Sequence, residues 1–176
     1  MRPCRTLQLC ILILLSLSLS AFSSSSNKAP EFTLKDLANN DVELKTLLKK
    51  GPVILDFWAT WCKPCIMAFP KLEKIQKKYK EQGLTILAIN VEGANSQSKI
   101  KPFVRNLDLA LTVLLDQKMS VMSDYKVSGL PTTILISQDG DIALRLRGYS
   151  PMHEATLDKA VQDLLAKAAP QPKTGD

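Results

Sequence analysis

Histidine and cysteine are scarce in this chain of 176 residues, which has one histidine and four cysteines. Cys4 and Cys10 lie in an N-terminal segment of different composition, so only Cys62, Cys65 and His153 remain beyond it. A structural zinc site takes four ligands, chiefly cysteine and histidine, and these three residues cannot supply one. A single close pair of cysteines also does not make the disulfide framework of a small secreted scaffold.

Concentrated charge and long apolar runs are lacking as well. The net charge is +6, but many of the lysines lie along the outer face of a predicted helix, which is typical of a solvated surface. The sequence therefore does not indicate nucleic-acid binding. The N-terminal apolar run, residues 9–19, is short for a membrane span.

The first 23 residues have the pattern of an export signal. Arg2 and Arg5 precede the apolar run, and the small residues Ala21 and Ser23 stand at the −3 and −1 positions of a cleavage site. Whether this signal peptide is cleaved or retained as a membrane tether stays open. The predicted division of the rest is a polar tether over residues 24–28, one folded domain over residues 29–168 and a flexible tail over residues 169–176.

The stretch that ends at Cys65 carries the main chemical signal. Val53–Trp58 is an apolar, β-forming run with one carboxylate, Asp56, and predicts a buried strand. Apolar residues at helical spacing follow the cysteines, so Cys62 stands at the start of a helix. Unpaired backbone N–H groups and the helix dipole favour a thiolate there. Cys65 lies one turn further on, within disulfide reach.

Two other interpretations of the cysteine pair are weaker. A structural disulfide that closes so short a loop removes little entropy from the unfolded chain. Inert buried thiols do not fit a helix start with Lys63 beside it. We therefore predict a redox-active Cys62–Cys65 couple that exchanges electrons with disulfides of other proteins, without a metal or another cofactor.

Several segments resemble one family. Trp61-Cys-Lys-Pro-Cys65 after Asp-Phe-Trp-Ala is similar to the active site of the thioredoxin superfamily. Tyr125-Lys-Val-Ser-Gly-Leu-Pro-Thr-Thr-Ile-Leu-Ile136, followed by Asp139-Gly140, resembles the TlpA/ResA-like thiol-disulfide oxidoreductases, as does the opening Ala29-Pro-Glu-Phe-Thr-Leu34. The likeness covers about residues 29–168.

The pattern and the resemblance together predict an α/β thioredoxin fold. It has a mixed central sheet with helices on both faces, an N-terminal β-hairpin and a central helix-strand insertion. Strands are predicted at residues 31–34, 42–44, 53–58, 84–91, 111–115, 132–137 and 142–147, and helices at residues 62–82, 98–107, 119–125 and 151–168.

The resemblance also implies roles for individual residues. Cys62 would attack a substrate disulfide, and the more buried Cys65 would resolve the mixed disulfide. Pro131 would follow a cis peptide bond, with the backbone of Leu130 pairing with the substrate. The expected substrate-binding residues are Trp61, Lys63, Pro64, Leu130 and Pro131, although a merely solvated side chain stays open for Lys63.

Asp56 is predicted to take part in catalysis. A carboxylate in an apolar strand is costly unless it is protonated or paired. Its place six residues before Cys62 matches the buried aspartate of thioredoxin, which accepts a proton as the resolving thiol ionises. Many relatives carry a glutamate three residues after the second cysteine, where this chain has Ala68. A carboxylate satisfied by a lysine or by water is the alternative.

The resemblance implies an exported, periplasmic enzyme, expected to be monomeric, that reduces protein disulfides. Its substrates would include apocytochrome c or copper-site cysteines of oxidase assembly proteins, and a membrane thiol reductase would supply electrons. An oxidase or isomerase of secreted proteins stays open. A peroxidase is disfavoured because Leu55 and Ala59 replace the proline and threonine of its Pro-x-x-x-Thr-x-x-Cys motif. A non-catalytic binding module is disfavoured by the intact cysteine pair.

Overall fold

The computed structural model describes residues 27–168. The predicted signal peptide, most of the tether and the predicted tail lie outside the described residues. The last two tether residues are part of the fold, because the backbone of Asn27 accepts a hydrogen bond from Ile142 at 2.8 Å and Lys28 forms a β-bridge with Asp141. Within residues 27–168, no helix has both the length and the apolar character needed to cross a membrane.

Seven strands within the described residues form one mixed sheet, as predicted. The order across the sheet is β2-β1-β5-β4-β3-β6-β7. The β3–β4 and β4–β5 pairs are parallel, whereas the remaining pairs are antiparallel. The strands are β1 Thr33–Asp36, β2 Asp41–Glu43, β3 Val53–Trp58, β4 Thr85–Asn90, β5 Thr112–Leu115, β6 Thr132–Ile136 and β7 Ile142–Arg147.

Helices cover both faces of the sheet, which confirms the predicted architecture. One core cluster joins alternate residues of β3 to α2, α3 and α5, and the other joins the remaining β3 residues to α1 and the end of α4. The helices are α1 Leu44–Leu48, α2 Lys63–Tyr79, α3 Gln97–Asn106, α4 Ser120–Asp124 and α5 His153–Ala168.

The predicted insertion and hairpins are present. Helix α3 follows β4 and leads into β5, which lies between β4 and β1. The N-terminal hairpin is β1–β2, shifted by one or two residues from the predicted bounds, and the Asp139-Gly140 turn joins β6 to β7.

Helix α2 differs from its prediction at the C-terminal end. It continues through Pro70 but ends at Tyr79, and a 3-10 turn over Lys80–Gln82 follows. Gly83 then adopts a left-handed conformation with φ of 93°, which favours glycine and ends the helical path before β4.

Candidate active site

The cysteine pair lies where β3 passes into α2. Cys62 is the residue immediately before α2, and Cys65 lies in its first turn. The two form a disulfide with Cα atoms 5.3 Å apart. Cys62 is 4% exposed, whereas Cys65 is fully buried. Both cysteines are therefore buried, and Cys62 keeps a small exposed surface that Cys65 lacks.

The local sequence explains why the helix begins here. Pro64 lies in the first turn, where a missing N–H removes no helical hydrogen bond. The Cys62 carbonyl accepts hydrogen bonds from the N–H groups of Cys65 at 3.0 Å and Ile66 at 3.2 Å. No acidic side chain lies in this turn. The positive end of the helix dipole is therefore left to stabilise a thiolate on the cysteine at the helix start.

The predicted substrate-binding residues lie at two places in the chain. Trp61 is 70% exposed, and Lys63 and Pro64 are also exposed beside the disulfide. Leu130 is half-buried and packs against the core cluster that includes both cysteines, while Pro131 is buried. The Leu130–Pro131 peptide bond is cis, as expected from the resemblance.

The two tryptophans near the disulfide have different environments. Trp58 is fully buried and packs edge-on against Phe69 of α2, with ring centroids 5.2 Å apart. Its role is therefore core packing. Trp61 leaves most of its ring in solvent beside Cys62, and an exposed large apolar side chain at this position is available to a binding partner.

Asp56 is sealed inside the protein. Its carboxylate has no exposure, and it lies on β3 between Ile54 and Trp58, which point to the same face and pack in the cluster that contains Cys65. Its cross-strand neighbour on β6 is Thr133, whose hydroxyl donates a hydrogen bond of 2.7 Å to Oδ1. The partner is therefore a threonine hydroxyl rather than the lysine considered as an alternative.

Burial controls the protonation of this carboxyl group. Loss of solvation raises the pKa of Asp56 from 3.8 to about 7, and the hydrogen bond from Thr133 opposes part of that rise. A carboxyl group with such a pKa gains and loses its proton close to neutral pH. It can therefore act as a proton acceptor in one step and a donor in the reverse step.

Glu92 belongs to the site but was not predicted from the sequence. Its carboxylate accepts hydrogen bonds from the backbone N–H of Thr60 at 2.6 Å, from the Thr60 hydroxyl at 3.0 Å and from Nδ2 of Asn90 at 3.1 Å. Thr60 lies two residues before Cys62, so Glu92 holds the turn that presents the disulfide. Glu92 could have been found from the parallel pairing of β3 and β4, because the C-terminal ends of parallel strands meet at one sheet edge.

The fold and this site define a class of protein. The chain combines a disulfide between a helix start and its first turn, a mixed sheet with helices on both faces, and a cis-proline just before β6. This is the arrangement of a thioredoxin-fold thiol-disulfide oxidoreductase.

Comparison with known proteins supports this class and identifies a family within it. The profile of the AhpC/TSA family matches residues 26–145. The thiol-disulfide oxidoreductase ResA of Bacillus cereus is 38% identical over 121 residues, which is 69% of this chain and 68% of the relative. ResA of Bacillus subtilis is 38% identical over 125 residues, or 71% and 68% of the two chains.

A solved structure supports the same assignment. A crystal structure from Chlorobium tepidum, described as that of a thiol:disulfide interchange protein DsbE, is 31% identical in sequence to this chain. The two structures superpose with a TM-score of 0.73, over 80% of this chain and 96% of the other. The protein therefore belongs to the AhpC/TSA family and to the ResA-like thiol-disulfide oxidoreductases.

The raised pKa of Asp56 predicts an unusual dependence of stability on pH. The folded protein holds this proton more tightly than the unfolded chain, so stability falls as pH rises from about 4 to about 7 and stays lower above that range. The expected cost of the ionised form is up to about 4 kcal/mol. Asp56→Asn removes the charge and keeps the shape, so it should be more stable than the wild type at pH about 8, as measured by urea unfolding.

Asp116→Asn is the control for this prediction. Asp116 is also buried, but its carboxylate accepts a hydrogen bond of 2.8 Å from the backbone of Met122, so its replacement should not stabilise the protein. Equal stability of Asp56→Asn and the wild type at both pH about 5 and pH about 8 would contradict the assigned state of Asp56.

Proposed function

We propose that this protein is an exported reductase of protein disulfides in which Cys62 attacks and Cys65 resolves. The observation that carries the proposal is the difference between the two sulfurs. Cys62 keeps a small exposed surface at the start of α2, where a thiolate is favoured, and Cys65 is fully buried one turn further along. We therefore assign the attack on a substrate disulfide to Cys62.

The proposed reaction has two exchange steps. The Cys62 thiolate attacks one sulfur of the substrate disulfide, forms a mixed disulfide and releases the other substrate sulfur as a thiolate. The Cys65 thiol then loses its proton, and its sulfur attacks Cys62. The bond between Cys62 and the substrate breaks, its electron pair leaves with the substrate sulfur, and the Cys62–Cys65 disulfide forms. The substrate gains two electrons and the enzyme dithiol loses them.

Asp56 is proposed to accept the proton that leaves Cys65. Its side chain points into the same layer as α2, and no solvent reaches either group. Water therefore cannot take the proton directly. A carboxyl group whose pKa is about 7 matches this task, because it is partly ionised at neutral pH and can return the proton when the enzyme is reduced again.

The substrate is proposed to bind across the exposed rim of the disulfide. Trp61 supplies an apolar surface, and Lys63 and Pro64 border Cys62 on the helix side. Leu130, just before β6, packs against the core cluster that contains both cysteines. An extended substrate segment that lies between these two segments would place its disulfide against Cys62 and could pair with the Leu130 backbone.

The two cysteines should behave differently when each is replaced. Cys65→Ser should trap substrates as mixed disulfides on Cys62, because the resolving thiol is missing. Cys62→Ser should trap none, because the Cys65 sulfur is buried. The measurement is non-reducing electrophoresis with mass spectrometry of the trapped adducts, and the double replacement serves as the control. Equal trapping by both single variants would reverse the assignment of the nucleophile.

The direction of electron flow is proposed to be reductive. The pair encloses Lys63 and Pro64, and no histidine stands between the cysteines to stabilise the reduced form further. Equilibration of the Cys62–Cys65 couple with glutathione measures its potential. A value near the thioredoxin value of about −270 mV supports a reductase, whereas one near about −120 mV would make the protein an oxidase or isomerase.

The place of action is proposed to be outside the cytoplasm. The support is the order of arginines, apolar run and small residues in positions 1–23. In a periplasmic compartment, a reductase needs electrons from a membrane thiol reductase, and apocytochrome c is the substrate that the family resemblance suggests. Mass spectrometry should find a mature chain that begins near Ser24, or a full-length chain held at the membrane. A full-length chain in the cytosol would contradict export.

A further inference from the structure

The buried carboxyl group of Asp56 has one polar contact through which a proton can pass. Its Oδ1 accepts the hydrogen bond of 2.7 Å from Thr133, and its Oδ2 has no hydrogen-bond partner among residues 27–168. The residue has no exposed surface. Because the carboxyl group is sealed from solvent, any proton that it exchanges with water must pass through a polar group in contact with it. The Thr133 hydroxyl is the polar group in contact with it.

Thr133 also lines a cleft. The cleft lies between α2, α5 and the end of β7 and has a volume of about 30 Å³, which is enough for one water molecule. Ala68 and Leu72 of α2 and Leu157 of α5 form apolar parts of its wall. Thr133 therefore lies between the sealed carboxyl group and a space that water can enter.

We propose that the Thr133 hydroxyl is the route by which Asp56 exchanges its proton with water in this cleft. This inference rests on the proposed role of Asp56 as the proton acceptor for Cys65. Thr133 contacts Asp56, so its role is to position that carboxyl group and to transfer its proton. The cleft is the solvent end of this path.

The proposed transfer moves one proton without changing any other bond. When Asp56 is protonated, its carboxyl O–H donates to the Thr133 oxygen. The threonine passes its own hydroxyl proton to a water molecule in the cleft and takes up the proton of the carboxyl group. Asp56 is left ionised, Thr133 is again neutral and donates to Oδ1 as in the structure, and the water carries the added proton to solvent.

Charged and titratable groups surround the cleft and set its electrostatic environment. Lys71 approaches from α2 and lies 4.9 Å from the ring centroid of Tyr149, while His153 and Glu154 approach from the start of α5. These groups line the cleft, whereas the pKa of Asp56 is set by burial and by the Thr133 hydrogen bond. The decisive quantity is therefore the rate of proton exchange at Asp56 and not its pKa alone.

The test is carboxyl-carbon NMR of Asp56 in the disulfide form of the full chain, in which neither cysteine titrates. Exchange rates are measured across the titration of the Asp56 resonance. Thr133→Val keeps the shape of the side chain and removes the hydroxyl, and we expect the exchange rate to fall by about 100-fold or more, the scale of a lost proton-transfer group. Thr133→Ser keeps a hydroxyl and should retain the wild-type rate.

Two further variants separate a route from a structural effect. Ala68→Leu fills the cleft from α2 and leaves the Thr133–Asp56 hydrogen bond in place, so it should slow exchange as Thr133→Val does. Thr132→Val is the matched control, because the Thr132 hydroxyl donates to the Gly129 carbonyl instead, at 2.7 Å. It should leave the exchange rate at Asp56 unchanged.

The outcomes distinguish this inference from the proposed function. Wild-type exchange in both Thr133→Val and Ala68→Leu would overturn the route, even if Asp56→Asn slows the release of substrate from the mixed disulfide. Slowed exchange in both variants would support the route. Unaffected release of substrate in Asp56→Asn would contradict the proposed role of Asp56 in the reaction, but it would leave the route standing. A slow rate in Thr133→Val alone would overturn the cleft as the solvent end.

Discussion

Burial of β3 on both faces is the constraint on which the site depends. Helices cover both sides of this strand, and β4 and β6 occupy both of its edges, so all six of its residues are buried. Its C-terminal end therefore has a defined position, from which the turn at residues 59–61 leads directly into α2. The same enclosure places the one carboxylate of the strand, that of Asp56, where only its proton or a hydrogen bond can offset the lost solvation.

The position of the disulfide at this junction separates the two sulfurs. Cys62, at the helix start, keeps a small exposed surface and lies at the positive end of the helix dipole, whereas Cys65, one turn further on, is fully buried. A single helical turn thus assigns different chemistry to two identical side chains. Glu92 supports this arrangement from the segment after β4, because its hydrogen bonds to Thr60 hold the connecting turn in place.

Much of the fold could be predicted because its signals are local. Alternation of apolar residues, the Asp139-Gly140 turn and helical spacing after Cys65 are all readable over a few neighbouring positions. The ends of helices and strands depend on contacts outside these local patterns. Helix α2 ends at Tyr79 rather than near Gln82, because the left-handed Gly83 and the approach of the chain to β4 tighten its last turn. Asn27 and Lys28, predicted as tether, pair with the end of the β6–β7 hairpin because that edge has free backbone groups.

The sequence by itself determined the cysteine pair, its place after a buried strand and the presence of a carboxylate in that strand, since these are contiguous in the chain. The tertiary structure decided which side chains form hydrogen bonds with these residues. Thr133 is 77 positions from Asp56, and Glu92 is 32 positions from Thr60. Contacts over such separations depend on strand order and register, because β6 and β4 lie on opposite sides of β3. No local pattern of residues encodes which side chains that pairing brings together.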